Sequence, residues 1–107
     1  MNHYVTQVLE DKRAYLCGVI DPSRHFAYLR QQRVLSMEGQ QIIEHEITTA
    51  AQVNKLIDEL IMNGGPQAFL AFTESLRREG TQPHVLKKLN LALDEKRANP
   101  AFTEGWL

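Results

Sequence analysis

Apolar residues recur at helical spacing along almost the whole chain, and the strict alternation that is typical of strands is nearly absent. The clearest stretch places apolar residues at i, i+3, i+4, i+7 and i+8, namely Val53, Leu56, Ile57, Leu60 and Ile61. A chain of 107 residues has the length of one domain, and roughly two thirds of its unfolded surface can be buried in a single core. The sequence therefore predicts a small all-α domain.

The first two predicted helices meet at Asp21-Pro22. Asp is a preferred N-cap, and Pro is tolerated in the first turn because that N–H has no partner inside the helix. In the first helix the apolar stripe skips five residues between Leu9 and Tyr15, which predicts either a bend or a change in the phase of the stripe. The second helix is expected over about 22–32.

The third and fourth predicted helices begin at capping residues. Ser36 is expected to cap the third helix, which should bury Ile42, Ile43 and Ile47. Thr49 followed three residues later by Gln52 is the pattern of a capping box, and it predicts the start of the fourth helix.

The remaining helices are separated by Gly and Pro. The run 63–66, Asn-Gly-Gly-Pro, predicts a left-handed C-cap and then the start of a fifth helix over about 66–79. Thr81-Gln82-Pro83 opens the sixth. Short connections favour an antiparallel six-helix bundle over residues 1–97, with 98–107 as a tail or linker.

Composition excludes several classes of protein. The net charge of −1 gives no electrostatic reason to expect nucleic acid or an anionic membrane as a partner. A single cysteine, Cys17, excludes a disulfide framework and fits a reducing compartment. No apolar run reaches the ~18–20 residues of a membrane span, and the amino terminus lacks the pattern of a signal peptide. A soluble, cytoplasmic domain is therefore expected.

The sequence offers no convincing catalytic or metal site. Cys17 with His25 or His45 could form a thiol–imidazole pair, but Cys17 lies on a core helix, where cysteine behaves as a small apolar residue. The four histidines fall in four segments, and no two have the i, i+4 spacing of a metal site. The Gly-Gly pair lacks the context of a phosphate loop. We predict no enzyme activity and no cofactor.

Charge is unevenly distributed along the chain. Residues 21–35 carry three arginines and one aspartate, residues 36–63 carry five acidic residues and one lysine, and residues 64–97 carry six basic and four acidic residues. A positive face on one copy could bind a negative face on another. Such a contact uses two different patches, and it builds a ring or an open helix rather than a closed dimer.

Three blocks give the chain a family resemblance. They are L-x-x-x-R-x-Y-L-C at 9–17, R-H-F-x-x-L-R-x-x-x-x-L-S at 24–36, and S-L-R-R-E at 75–79. In this order and spacing they resemble the caspase recruitment domain (CARD) family of the death-fold superfamily, over roughly residues 5–95. The likeness extends to CARDs of adaptors and scaffolds in NF-κB signalling, and GGPQAFLAFTESLR is similar to the fifth helix of initiator-caspase prodomains.

The resemblance implies a six-helix bundle that binds other CARD-containing proteins or further copies of itself, forming oligomers or filaments in apoptotic or innate-immune signalling. In the family, a basic patch on the first and fourth helices contacts an acidic patch on the second and third. The partner-binding residues it implies here are Arg13 and Lys55 on the basic face, Glu38, Gln41, Glu44 and Glu46 on the acidic face, and Arg24 and Arg30 at a second lateral contact.

The chain also departs from the family pattern. Basic positions of the fourth helix are occupied by Ala50, Ala51 and Asn54, and the acidic positions that follow Glu38 read Gly-Gln-Gln-Ile over 39–42. Both halves of the usual charge pairing are therefore weaker. The weaker faces favour a CARD-only decoy as one alternative. The prodomain of an initiator caspase is a second, separate alternative, whereas the neutral charge balance disfavours a helical nucleic-acid binder.

Overall fold

The computed structural model describes residues 2–98, which form helices and contain no strand. Its seven α-helices are α1 (His3–Asp11), α2 (Arg13–Val19), α3 (Phe26–Gln31), α4 (Met37–Glu44), α5 (Thr49–Asn63), α6 (Ala68–Glu79) and α7 (Pro83–Ala98). The predicted all-α bundle is confirmed, and α1 with α2 corresponds to the first of the six predicted helices. The predicted tail lies outside the described residues from position 99 onward.

The predicted bend in the first helix lies at Lys12, between α1 and α2. Lys12 has φ −100° and ψ 8°, and its N–H still donates to the carbonyl of Val8 at 3.0 Å. The bend lets the two segments pack on different partners, α1 on α7 and α2 on α5. This explains why the apolar stripe changes phase after Leu9.

Two of the three predicted N-capping residues, Asp21 and Ser36, are confirmed, and the third is wrong by one residue. Asp21 caps a 3-10 turn, Pro22–Arg24, and the Ser36 hydroxyl accepts a hydrogen bond from the Gly39 N–H at 2.9 Å. At α5 the N-cap is Thr48, not Thr49. The Thr48 backbone is extended (φ −98°, ψ 152°), so its hydroxyl reaches the Ala51 N–H at 3.1 Å.

The Thr49–Gln52 capping box is therefore absent. Gln52 instead donates its side-chain amide to the Glu46 carbonyl at 3.1 Å, in the connection before α5. The second predicted helix also differs, since the 3-10 turn precedes a shorter α3 that begins at Phe26. Similarly, α6 begins at Ala68, two residues after the predicted start at Pro66.

The end of α3 is a Schellman motif with an arginine at the left-handed position. The Arg33 N–H donates to the Arg30 carbonyl at 3.0 Å, and the Val34 N–H donates to the Leu29 carbonyl at 3.1 Å. Val34 and Leu29 are buried, as is usual for this motif. Arg33 has φ 62°, a conformation that costs a residue with a Cβ roughly 1–2 kcal/mol. The motif fixes the direction in which the chain leaves α3 for α4.

His25 and Ser75 form a buried polar pair in the core. The ring of His25 is 1% exposed, and its Nδ1 lies 2.6 Å from the hydroxyl oxygen of Ser75 on α6. The ring also packs edge-on against Phe72, with centroids 6.1 Å apart. Burial lowers the pKa of His25, so its imidazole is neutral at pH 7.

Two of the three predicted apolar residues around α4 are exposed. Ile43 is buried as expected, but Ile42 is 48% exposed and Ile47 is 97% exposed. The prediction that both would be buried is wrong because Ile42 lies on the outer face of α4 and Ile47 lies in the connection to α5. An apolar surface is left beside the acidic residues of this region.

Candidate partner-binding surfaces

Arg13, the first predicted basic contact, is bonded within the chain. One terminal nitrogen, Nη1, donates to the side-chain oxygen of Asn54 at 3.0 Å and to its carbonyl at 3.2 Å. The other, Nη2, forms ion pairs with Glu10 and, at 2.9 Å, with Asp58. Both terminal nitrogens are thus occupied, and only 25% of the side chain is exposed. We call Arg13, Glu10, Asn54 and Asp58 the Arg13 network.

The network is built by helical spacing. Asn54 and Asp58 are separated by one turn of α5 and share the side that faces α2, whereas the intervening Leu56 and Ile57 are buried. Burial alone lowers the pKa of the Arg13 guanidinium, but the bonds to Glu10 and Asp58 outweigh it, so the pKa lies above its ordinary value. The positive charge of Arg13 is therefore kept and compensated locally.

Lys55, the second predicted basic contact, is not part of the Arg13 network. It lines a groove of about 470 Å³ between α4 and α5. The other lining residues are Glu38, Gln41, Ile42, His45 and Glu46. We call this the α4 groove. Three residues of the predicted acidic face, Glu38, Gln41 and Glu46, thus lie together in the α4 groove. They share it with Lys55, which was assigned to the basic face.

Glu44, the fourth predicted acidic-face residue, lies on another side of α4. Its carboxylate accepts a hydrogen bond from the Gln40 side chain at 3.3 Å. The Gln40 oxygen in turn accepts one from Arg30 at 3.3 Å. Among the described residues, Arg30 has no carboxylate partner. The predicted acidic Glu44 and the predicted lateral contact Arg30 are therefore linked through one neutral side chain.

Arg24, the other predicted lateral contact, is paired but accessible. It forms ion pairs with Glu79 at 2.8 Å and with Asp21 at 3.5 Å, yet its side chain is 57% exposed. Hydrogen bonds from Thr81 and from Arg24 lower the pKa of Glu79 to about 2. The pair fixes the 3-10 turn to the end of α6.

Sequence reasoning missed four residues that shape these surfaces. They are the exposed Ile42 and Ile47 and the two Arg13 partners from α5, Asn54 and Asp58. The spacing of Asn54 and Asp58 was a usable signal, since polar residues at i, i+4 on an amphipathic helix share one side. Nothing in the sequence showed that α2 would lie against that side.

Other kinds of site find no support in the described part of the chain. Residues 2–98 contain no group of His, Cys, Asp or Glu arranged to hold a metal ion. No helix within them combines the length and apolar character needed to cross a membrane.

Comparison with known proteins identifies the bundle. The profile of the caspase recruitment domain matches residues 6–92. The chain is 37% identical to mouse B-cell lymphoma/leukemia 10 over 81 residues, which cover 76% of this chain and 34% of that protein. The human protein of that name matches equally. Human caspase recruitment domain-containing protein 9 is 35% identical over 85 residues, covering 77% of this chain and 15% of that protein.

The chain therefore belongs to the caspase recruitment domain family, as the three sequence blocks indicated. It is a CARD-mediated signalling interaction module. The match spans about a third of the B-cell lymphoma/leukemia 10 proteins, so the properties of the rest of those proteins do not carry over. No solved structure matches the chain significantly.

Proposed function

We propose that this CARD, over residues 1–97, binds other CARD-containing proteins or further copies of itself, and that binding grows into oligomers or filaments. The match of the family profile across residues 6–92 carries this proposal, because it covers nearly all of the helical bundle. We further propose that it acts in the cytoplasm, in NF-κB, innate-immune or apoptotic signalling and without enzyme activity, as the family resemblance of its three sequence blocks implies.

The surface around α4 supports this proposal and is the contact we favour. It combines exposed Ile42 and Ile47 with carboxylates of α4 and of the connection that follows. Protein interfaces commonly place apolar side chains at the centre and charged ones at the rim. We propose that Glu38, Gln41 and Glu46 contact a basic partner surface here, with Glu44 at its edge and Arg24 and Arg30 at a separate lateral contact.

Light scattering with negative-stain microscopy over a wide concentration range tests the proposal. Gln41→Lys places a positive charge in the α4 groove, and Asn90→Lys places the same charge on the exposed side of α7. We expect Gln41→Lys to raise the assembly threshold roughly fivefold or more, and Asn90→Lys to leave it unchanged. Equal thresholds for Gln41→Lys and wild type would remove the α4 groove from the contact.

A decoy function is the alternative that the Arg13 network favours. A CARD whose basic contact is compensated internally could occupy one end of a partner assembly without binding the next copy. Wild-type chain is added at substoichiometric ratio to a CARD that forms filaments, and filament length is measured. Shortened filaments support the decoy, whereas co-assembly along their length supports the adaptor. The prodomain alternative concerns sequence outside this chain and stays a prediction.

A further inference from the structure

The Arg13 network holds its arginine from two directions. Glu10 lies one turn earlier in the chain, across the bend at Lys12, and Asp58 and Asn54 reach Arg13 from α5. Arg13 is less than half as exposed as Arg24, which has two carboxylate partners as well. An ordinary surface ion pair joins one cation to one carboxylate, whereas several bonds from two helices hold the single guanidinium of Arg13.

These bonds oppose any acidic partner of Arg13. A partner carboxylate must displace Asp58 or Glu10 from the guanidinium, or bind beside two like charges. Displacement loses bonds that already exist, and juxtaposition of like charges is unfavourable at an interface. In either case the free energy of binding through this surface is smaller than it would be for an uncompensated arginine.

We propose that Asp58 and Glu10 are specificity-determining residues, which compete with a partner for Arg13 and so set the concentration at which the α2–α5 surface binds an acidic face of another CARD. This inference rests on the proposed function, because it takes the α2–α5 surface to be the basic surface that the α4 groove of another CARD contacts. Asp58 is the more informative position for two reasons. It reaches Arg13 from another helix, and it is partly exposed, so a carboxylate of the partner can approach the ion pair and displace it.

The test measures the assembly threshold of the full chain by light scattering. Asp58→Asn removes the competing charge and keeps the size of the side chain. Asp94→Asn is the matched control, because it makes the same change on an exposed residue of α7 that has no bond to Arg13. We expect Asp58→Asn to lower the threshold roughly threefold to tenfold, and Asp94→Asn to change it less than twofold.

A double variant shows whether the lower assembly threshold of Asp58→Asn depends on Arg13. Arg13→Gln is combined with Asp58→Asn, and the effect of Asp58→Asn is compared with and without the arginine. The proposal requires the gain to disappear when Arg13 is replaced. A gain of the same size in the Arg13→Gln background would overturn it, because loss of negative charge would then promote assembly without any competition for Arg13.

An NMR measurement keeps the test independent of assembly. Hydrogen exchange of the Arg13 guanidinium, recorded on the monomer at low concentration, should accelerate in Asp58→Asn and stay unchanged in Asp94→Asn.

Circular dichroism first establishes that Asp58→Asn is folded. If it is unfolded, Glu10→Gln takes its place in these experiments.

The outcomes separate this inference from the proposed function. Unchanged thresholds in both Asp58→Asn and Glu10→Gln overturn the competition, as does a set of variants that all remain monomeric. The proposed function fails by another result, namely that wild type neither assembles nor binds to or alters filaments of another CARD.

Discussion

Arg13 and Arg30 carry the same charge, and both were assigned to partner binding, yet the fold treats them differently. Arg13 lies against α5 with two carboxylates and an amide around its guanidinium, whereas Arg30 on α3 donates to the single neutral side chain of Gln40. A family position therefore predicts the residue type, but not whether the side chain is free to bind a partner. That depends on which side chains the neighbouring helix places around it.

Arg24 is the intermediate case. It has two carboxylate partners like Arg13, but more than half of its side chain is exposed. An exposed ion pair contributes little to stability, in the range of about 0–1 kcal/mol, and it exchanges readily with other partners. The three arginines thus form a series from internally compensated to uncompensated, and their substitution should have graded consequences for the fold.

Charge reversal separates the two ends of this series most strongly. Arg13→Glu removes the bonds of the network and adds a third carboxylate beside Glu10 and Asp58, so we expect a loss of about 3 kcal/mol in the free energy of unfolding. Arg30→Glu should change it by less than about 0.5 kcal/mol. Urea denaturation of both variants measures the difference. Equal stabilities would mean that the network contributes nothing to the fold.

This result also decides how partner binding is probed. Arg13→Glu combines loss of a contact with loss of stability, so impaired assembly of that variant would be ambiguous. Arg13→Gln removes the charge without adding a carboxylate and is the cleaner substitution for binding experiments.

The buried pair of His25 and Ser75 extends the comparison into the core. Ser75→Ala leaves the Nδ1 of His25 without its partner, and we expect a loss of about 2 kcal/mol in the free energy of unfolding. Thr73→Ala is the control, because the Thr73 hydroxyl donates to the Leu70 carbonyl at an exposed position on the same helix. Its loss should cost less than about 0.5 kcal/mol. A Thr73→Ala variant as unstable as Ser75→Ala would contradict a special role for the buried pair.

The sequence predicted the local features of this fold because they depend on neighbours in the chain. Ser36 as a cap and the bend after Leu9 follow from patterns a few residues long, and both are confirmed. Thr48 and Thr49 are adjacent residues of the same type, so composition could not distinguish which one is extended. The prediction that Ile42 and Ile47 are buried was wrong for a related reason. Apolar character alone does not reveal which side of the short helix α4 faces the core, as for Ile42, or that α4 ends before Ile47.

The Arg13 network could not be predicted in the same way. Arg13 and Asp58 are separated by 45 positions, and their contact depends on how α2 packs against α5. The family resemblance supplied the position of Arg13 and its expected charge, but a resemblance carries no information about a compensating residue in this particular chain. Long-range pairing therefore had to come from the structure.

Acid titration tests the intermediate member of the series. The pKa of Glu79 is lowered from 4.5 to about 2 in the fold, so over that range the unfolded chain binds a proton that the folded chain does not. Stability from this group is present above about pH 4.5 and is lost as the pH falls towards 2. Arg24→Ala removes one partner of Glu79, so we expect its stability to fall less steeply with decreasing pH than that of wild type. Thermal unfolding measured from pH 5 to pH 2 tests this.

The control for this titration is Arg30→Ala, which removes an exposed arginine that has no carboxylate partner within residues 2–98. Its stability should fall with pH as steeply as that of wild type. Identical slopes for Arg24→Ala and wild type would assign the acid sensitivity to Thr81 or to other carboxylates.

Arg33 provides the smallest expected effect and the reverse sign. Its φ of 62° strains a residue with a Cβ by roughly 1–2 kcal/mol, which glycine would avoid. Glycine also raises the entropy of the unfolded chain, at a cost of about 0.4–1 kcal/mol. We therefore expect Arg33→Gly to stabilise the fold by about 0.5 kcal/mol in urea denaturation.

Arg33→Ala distinguishes backbone strain from the contribution of the side chain. Alanine keeps the Cβ and the strain but removes the guanidinium, so it should be no more stable than wild type. A destabilised Arg33→Gly would mean that the side chain supports the fold through its position beside Arg30, Glu59 and Asn63, whose side chains line the same cavity of about 360 Å³. A stabilised Arg33→Gly variant would mean that the arginine at this strained position does not serve the stability of the fold. In that respect Arg33 would resemble Arg30, which has no carboxylate partner among the described residues, and differ from Arg13.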